Sequence, residues 1–161
     1  MNFREKILSW EALKSWRGAL RKQRRRLVAT NGCFDILHLG HVTYLEAARK
    51  EGDALLVAVN SDASVSAIKG PNRPVNNEQD RAAVLSALAS VDAVLVFYEP
   101  DAMRMLAEVK PDIYAKGGDY TIDTINQDER RLVESQGGKV VVLGGVPGKS
   151  TTGLLEKMSR K

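Results

Sequence analysis

The chain's only two histidines stand three residues apart in His38-Leu39-Gly40-His41, directly ahead of a helical pattern, and this spacing brings both rings to one helical turn. A helix N-terminus presents unpaired N–H groups and the positive end of the peptide dipoles, so imidazoles placed there make a site suited to phosphate oxygens. Gly40 between them lets backbone and phosphate approach closely. Two alternatives compete: a pair of ordinary polar loop residues, or zinc ligands acting with nearby Asp35. Zinc is disfavoured by composition, because HExxH is absent and no third histidine or second cysteine completes a ligand set.

Three further stretches suit phosphate chemistry. Lys69 opens a segment running to Asn77 that holds two prolines and a glycine and reads as a flap, with Arg73 inside it. Lys116-Gly117-Gly118-Asp119 follows a strand pattern, where glycines admit a ligand to the backbone, although a strand-end Gly-Gly is also a common turn. Ser150-Thr151-Thr152 opens the last helix as an N-cap, a role compatible with holding phosphate, and Lys149 adds a positive charge beside it.

The elements that must position these residues follow from periodicity. Ile7, Trp10, Leu13, Trp16 and Leu20 recur every three or four residues, which predicts an amphipathic helix docking through its tryptophans. Apolar runs predict strands at 26–32, 54–60, 92–97, within 112–119 and at 139–145. Helical patterns lie at 40–50 (through Val42, Leu45 and Ala48), 77–90, 101–109, 127–136 and 150–158. Strands without polar alternation, each followed by a helix, imply a parallel sheet covered on both faces. The expected fold class is therefore α/β, a Rossmann-like doubly wound parallel sheet with ligands bound beyond the carboxyl ends of its strands.

Length and composition set the remaining bounds. With 161 residues, 43% hydrophobic and 27% charged, the chain suits one folded domain and neither a disordered nor a fibrous protein. No apolar run reaches the ~18 residues of a membrane span, the N-terminus is unlike a secretory signal, and one cysteine, Cys33, fits a reducing compartment. A cytoplasmic location is expected, with neither membrane nor nucleic acid as partner. The net charge of +4 is unevenly spread: residues 1–26 hold nine Lys/Arg against two Glu and carry +7, leaving −3 on the rest. A basic leader on an acidic body is not the continuous basic face of a DNA-binding domain.

The stretch Thr30-Asn31-Gly32-Cys33-Phe34-Asp35 leading into His38 and His41 resembles the signature of the HxGH nucleotidyltransferase superfamily. The segments 58–62 (with Asn60 and Asp62), 69–75, 116–120 and 148–152 fall in the order of one branch, which resembles the adenylyltransferase domain of the bacterial heptose 1-phosphate enzymes. The resemblance covers roughly residues 27–158, dividing the chain into a basic amphipathic N-terminal helix (1–26) and a nucleotidyltransferase domain (27–161).

The resemblance implies that the phosphate of a sugar 1-phosphate attacks the α-phosphorus of ATP, giving ADP-heptose and pyrophosphate for lipopolysaccharide or related surface glycans. Such an in-line displacement needs positioning and charge neutralisation more than a protein nucleophile. By the same resemblance His38, His41, Lys69 and Ser150 are catalytic. Thr30, Asn31, Gly32, Cys33, Phe34, Gly40, Lys116, Gly117, Gly118, Asp119, Lys149, Thr151 and Thr152 hold the nucleotide. Asp35, Asn60, Asp62, Arg73 and Arg81 serve the acceptor, with Asp35 either near Mg²⁺ or capping a loop. Magnesium is expected with the triphosphate rather than at a fixed protein site. The relatives' sugar kinase domain has no counterpart here, so a separate kinase is expected to supply heptose 1-phosphate, and a homo-oligomer is expected. The arginine and glutamate that precede Ser-Thr-Thr in a cytidylyltransferase branch are absent. Guanylyl transfer from GTP, cytidylyl transfer to a small alcohol phosphate, and a basic nucleic-acid-binding module stand as alternatives.

Overall fold

In the computed structural model, which describes residues 2–160, six strands form one all-parallel sheet in the order β1-β4-β3-β2-β5-β6. The strands are β1 (Ile7–Leu8), β2 (Leu27–Gly32), β3 (Ala54–Asn60), β4 (Ala93–Phe97), β5 (Ile113–Gly117) and β6 (Lys139–Leu143). Helices α1 (Trp10–Lys22), α2 (Leu39–Lys50), α3 (Asp62–Lys69), α4 (Glu78–Ser86), α5 (Met103–Val109), α6 (Gln127–Ser135) and α7 (Thr151–Ser159) connect or follow them. From β2 the chain winds through β3 to β4 in one direction, then returns to β5 and β6 on the other side of β2. The winding reverses between β2 and β5, which is where doubly wound sheets open a crevice at their carboxyl edge.

The central strands lack polar alternation because both faces are covered: all seven residues of β3 are buried. Ala29, Leu56 and Leu95 pack with Leu13, Met105, Leu106 and Val133 on the α1, α5 and α6 side. Val28, Leu55, Val57 and Val94 pack with Leu45, Ala48, Ala82 and Leu85 on the α2 and α4 side. Val42, placed on the buried stripe of α2 by periodicity, is instead 39% exposed.

The N-terminal segment departs from its expected form. Ile7 and Leu8 are not helical but make β1, paired in parallel with Val94 and Leu95 at the sheet edge. Helix α1 starts at Trp10 because the Ser9 side chain accepts from the Ala12 N–H and caps it. Its anchors are Leu13, Arg17 and Leu20, all buried, while Trp10 and Trp16 flank the core only partly buried. Arg17 is buried because it finds acceptors: Nε donates to Val109 O (3.1 Å), and Nη2 donates to Lys110 O (2.8 Å) and Asp112 Oδ2 (3.0 Å). A cation thereby caps the carbonyl end of α5. Asp112 Oδ2 also accepts the Leu27 N–H at 2.7 Å, tying α1, β2 and β5 together. Arg17→Ala strips these acceptors of their donor and lowers stability by about 2–4 kcal/mol. Urea denaturation reads this directly, and a loss under ~0.5 kcal/mol, the scale of an ordinary surface change, would refute it.

Candidate active site

Strand β2 ends at Gly32, and the loop to α2 is bent by Phe34, which sits at φ 46°, a left-handed conformation uncommon outside glycine. Phe34 is nevertheless buried, its ring edge-on to His41 at 5.3 Å between centroids. Gly32 makes room for it, since a Cβ there would stand 2.9 Å from the Phe34 ring. The bend delivers His38 to the N-cap of α2 and His41 to its first turn, with the two rings stacked at 3.9 Å. The His38 side chain makes no capping hydrogen bond, so the Leu39 and Gly40 N–H groups at the start of the helix are not capped by it, while the His41 N–H donates to His38 O at 2.9 Å. A Cβ on Gly40 would lie 2.9 Å from the His38 ring and 3.2 Å from Lys149 Cβ. Glycine at 40 is what allows the histidines and the start of α7 to meet.

Helix α7 brings a second N-terminus to the same place. The Ser150 hydroxyl accepts the Gly153 N–H at 3.0 Å as N-cap, and Thr151 Oγ1 donates to Ile36 O at 3.2 Å, holding α7 against the loop before α2. Thr152 and Lys149 are exposed beside them. The electrostatics follow from this crowding. Burial, then the His38 and Lys69 charges, push the His41 pKa down to about 4. Burial and Lys149 lower that of His38. Both rings are thus neutral at pH 7, and the buried Nδ1 of each lacks a hydrogen-bond partner among the described residues.

A stability prediction follows. The unfolded imidazole, near 6.5, takes up a proton before the folded His41 does, so its contribution is present above pH 6.5 and fades as pH falls toward about 4. A melting series from pH 7.5 to 4.5 should show His41→Gln losing less on acidification than the parent. Parallel curves would contradict the assignment.

Lys69, the last residue of α3, is exposed at the root of the flap, and its charge acts on both His41 and Cys33. Burial raises the Cys33 thiol pKa, which makes it a poor nucleophile. The 73–76 segment is held down by Asp35, whose carboxylate accepts from Arg73 Nε (2.6 Å) and from the Val75 and Asn76 N–H groups (2.9 and 3.0 Å). Backbone and Arg73 hydrogen bonds hold its pKa down against the raising effect of burial. Of the roles expected for Asp35, to orient the acceptor, to sit near Mg²⁺ or to cap a loop, the geometry shows the loop cap: both oxygens accept hydrogen bonds from the flap.

Arg81 is neither helix surface charge nor directed at open space. Its side chain is wholly buried, with Nε to Asn76 O (3.0 Å), Nη1 to Cys33 O (2.6 Å) and Nη2 to Asp62 Oδ1 (2.7 Å). Asn60 is buried too, its Nδ2 donating to Ser64 Oγ at 3.0 Å. Asn60, Asp62, Arg73 and Arg81 are therefore all engaged within the protein: Asn60 with Ser64, Arg73 with Asp35, and Asp62 with Arg81, which also holds two backbone carbonyls.

On the other side, the Gly117 backbone lies against the Tyr44 ring, which a Cβ would approach to 2.6 Å, and the Tyr44 and Thr30 hydroxyls hydrogen-bond at 2.7 Å. Gly118 adopts φ 82° and turns the chain so that Asp119 and Tyr120 are exposed at the edge. Sequence reading missed Tyr44, Tyr114 and Glu129, because nothing in a helix or strand pattern marks a buried polar partner. Among the described residues no group of three or more His, Cys, Asp or Glu could hold a metal ion, and no helix is long and apolar enough to cross a membrane.

A doubly wound parallel sheet with two helix N-termini and neutral histidines at its switch-point edge has the geometry of a phosphate-binding α/β protein. Comparison with known proteins is more specific: residues 29–147 match the cytidylyltransferase-like family, and the chain belongs to it. It is 49% identical over 155 residues to the Bifunctional protein HldE of Methylobacillus flagellatus, covering 96% of this chain and 31% of that protein. The HldE of Pseudomonas fluorescens SBW25 is 54% identical over 138 residues, 86% of this chain and 29% of the relative. The chain thus spans about 30% of the length of these relatives. The first alignment leaves out six residues at most, so most of the basic leader is shared. Among solved structures, the lipopolysaccharide core biosynthesis protein of Thermoplasma volcanium GSS1 superposes with a TM-score of 0.61 at 34% identity, over 76% of this chain and 97% of that one. A Francisella tularensis pantoate-beta-alanine ligase, at 16% identity and TM-score 0.57 over 86% of this chain and 66% of that one, shares the fold.

Proposed function

We propose that the protein is a nucleotidyltransferase that transfers AMP from ATP to D-glycero-D-manno-heptose 1-phosphate, releasing pyrophosphate and forming ADP-heptose. The observation that carries this reading is the meeting of the α2 and α7 N-termini around the stacked His38–His41 pair, whose Nδ1 atoms have no hydrogen-bond partner among the described residues. The likeness to HldE and to a lipopolysaccharide core biosynthesis protein supports the sugar.

In this reading the triphosphate lies across both helix ends, and Mg²⁺ arrives with it as part of the substrate. His38 and His41, neutral at pH 7, donate to the α-phosphoryl oxygens, and Lys69 and Lys149 balance the charge that builds there. The α2 and α7 N–H groups, with the Ser150 hydroxyl proton, hold the β and γ phosphates. Thr30 to Phe34 and Lys116 to Asp119 flank the nucleoside from the two sides of the switch point, and Thr151 and Thr152 complete the phosphate end. The sugar phosphate attacks in line from the β3 side, where Asp35, Asn60, Asp62, Arg73 and Arg81 shape the wall rather than contact the acceptor through free charges. Heptose 1-phosphate must come from a phosphorylating enzyme, and the reaction uses only water-soluble substrates, in keeping with a cytoplasmic site of action.

The test is pyrophosphate release with Mg²⁺ and ATP, GTP or CTP in parallel, against both anomers of heptose 1-phosphate. Release with ATP and one anomer is expected. Release only with GTP or CTP would keep the mechanism and change the product, and silence across the panel would overturn the proposal.

A further inference from the structure

Glu129 belongs to no motif and lies on α6, yet its carboxylate is buried at the junction of three elements. Oε1 accepts the Ala102 N–H ahead of α5 at 3.0 Å. Oε2 lies 2.9 Å from the Tyr114 hydroxyl and 3.6 Å from Lys116 Nζ. Tyr114 and Lys116, both on β5, in turn reach Asn31 Oδ1 on β2, at 2.6 and 3.2 Å. Lys116 Nζ also donates to the Tyr114 hydroxyl at 3.0 Å. This network lies under the carboxyl ends of β2 and β5, the crevice of the proposed nucleotide site.

Proton bookkeeping gives the network a direction. An ammonium group has three donors and no acceptor. The atom of the Asn31 amide that faces Lys116 must therefore be the oxygen. Tyr114 has one proton for Asn31 Oδ1 and Glu129 Oε2, so it serves one of them at a time, and the orientation of the amide rests on Lys116. With Oδ1 turned inward, Asn31 Nδ2 is left outward, and among the described residues it has no hydrogen-bond partner while its residue is only half-buried. We propose that Glu129 is a positioning residue for nucleotide binding: through Lys116 and Tyr114 it sets the Asn31 amide so that Nδ2 donates to an acceptor atom of the bound nucleotide. This rests on the function proposed above and adds a residue to it.

Glu129 is the one carboxylate within ion-pair reach of Lys116 Nζ among the described residues. Burial lowers the Lys116 pKa, and Glu129 opposes that shift. The other groups facing Lys116 are the Asn31 amide, Tyr114 and the Tyr120 ring, the last 5.6 Å from Nζ. Removing the Glu129 charge while keeping its shape frees the Lys116 proton at a lower pH, and with it the constraint on the amide.

The experiment is equilibrium titration of full-length protein with Mg–ATP from pH 7 to pH 9, for the parent, Glu129→Gln, Asn31→Ala and the double variant. Lys116→Met, which removes the ammonium alone, serves if Glu129→Gln fails to fold. Glu129→Gln is expected to weaken binding about tenfold, the worth of one hydrogen bond to a charged ligand, and more at pH 9 than at pH 7. kcat at saturating ATP should change far less than KM. The double variant should bind no worse than Asn31→Ala, since both act through one amide. Parent-like affinity in Glu129→Gln and Lys116→Met, additive losses, or a loss independent of pH would overturn the inference while leaving the proposed function standing. A parent protein that binds no triphosphate would overturn both.

Discussion

Replacing His41 by alanine lowers kcat for pyrophosphate release by about 100-fold or more, with a folded protein and little change in the affinity for Mg–ATP measured at equilibrium. The size comes from the chemistry: a preorganised donor aimed at charge developing in the transition state is worth about 10²–10³ in rate. The geometry says why His41 should act this way. Its ring is fixed by the His38 stack at 3.9 Å and by the Phe34 edge at 5.3 Å, so it needs no reorganisation during the reaction. Its depressed pKa keeps it a neutral donor rather than a cation that binds ground state and transition state alike. His38→Ala follows the same course, and the double variant falls well short of the product of the two losses, because each ring orients the other. Single-turnover rates at saturating ATP separate this from a binding defect. Full activity in either folded single variant would refute the proposed mechanism.

The second large effect concerns folding rather than chemistry. Arg81→Met lowers stability by about 2–4 kcal/mol, a Tm drop of roughly 10 °C for a domain of this size, and abolishes the proposed pyrophosphate release. Its guanidinium ties Cys33 O, Asn76 O and Asp62 Oδ1 together, and methionine fills its volume while removing all three of these hydrogen bonds. The loop after β2, the end of the flap and the start of α3 then lose their common tie. Arg81→Lys, which keeps the charge but can reach one acceptor at a time, should fall between the two. Calorimetry of the three proteins settles the order. An Arg81→Met protein with parental Tm and a specific loss of acceptor binding would instead make Arg81 a substrate contact.

These two cases mark how far sequence reading went. His38 and His41 could be singled out because their partners are local: a helix start within three residues and a glycine between them. Asp35 and Arg81 could be singled out but not given their partners, and Glu129 was missed. Asp35 meets partners 38–41 residues away, Arg81 reaches Cys33 across 48, and Glu129 reaches Ala102 across 27. A free carboxylate in a substrate site and one capping a flap look identical until those distances close. The two-residue strand β1 was hidden for a related reason, since Ile7 fits the helical spacing of Trp10 to Leu20 and only its pairing with Val94 reveals it.

By itself the sequence determined the parallel α/β class, because seven- and five-residue apolar runs such as Ala54–Asn60 and Ala93–Phe97 can be satisfied only with helices on both sheet faces. It also determined the phosphate-binding character of the strand-end motifs, since glycines, histidines and hydroxyls at helix starts carry their chemistry locally. Tertiary structure alone decided which polar groups face the crevice and which are consumed in holding it. That division depends on hydrogen-bond partners brought together from distant parts of the chain, and a buried donor or acceptor must take whatever partner the fold supplies.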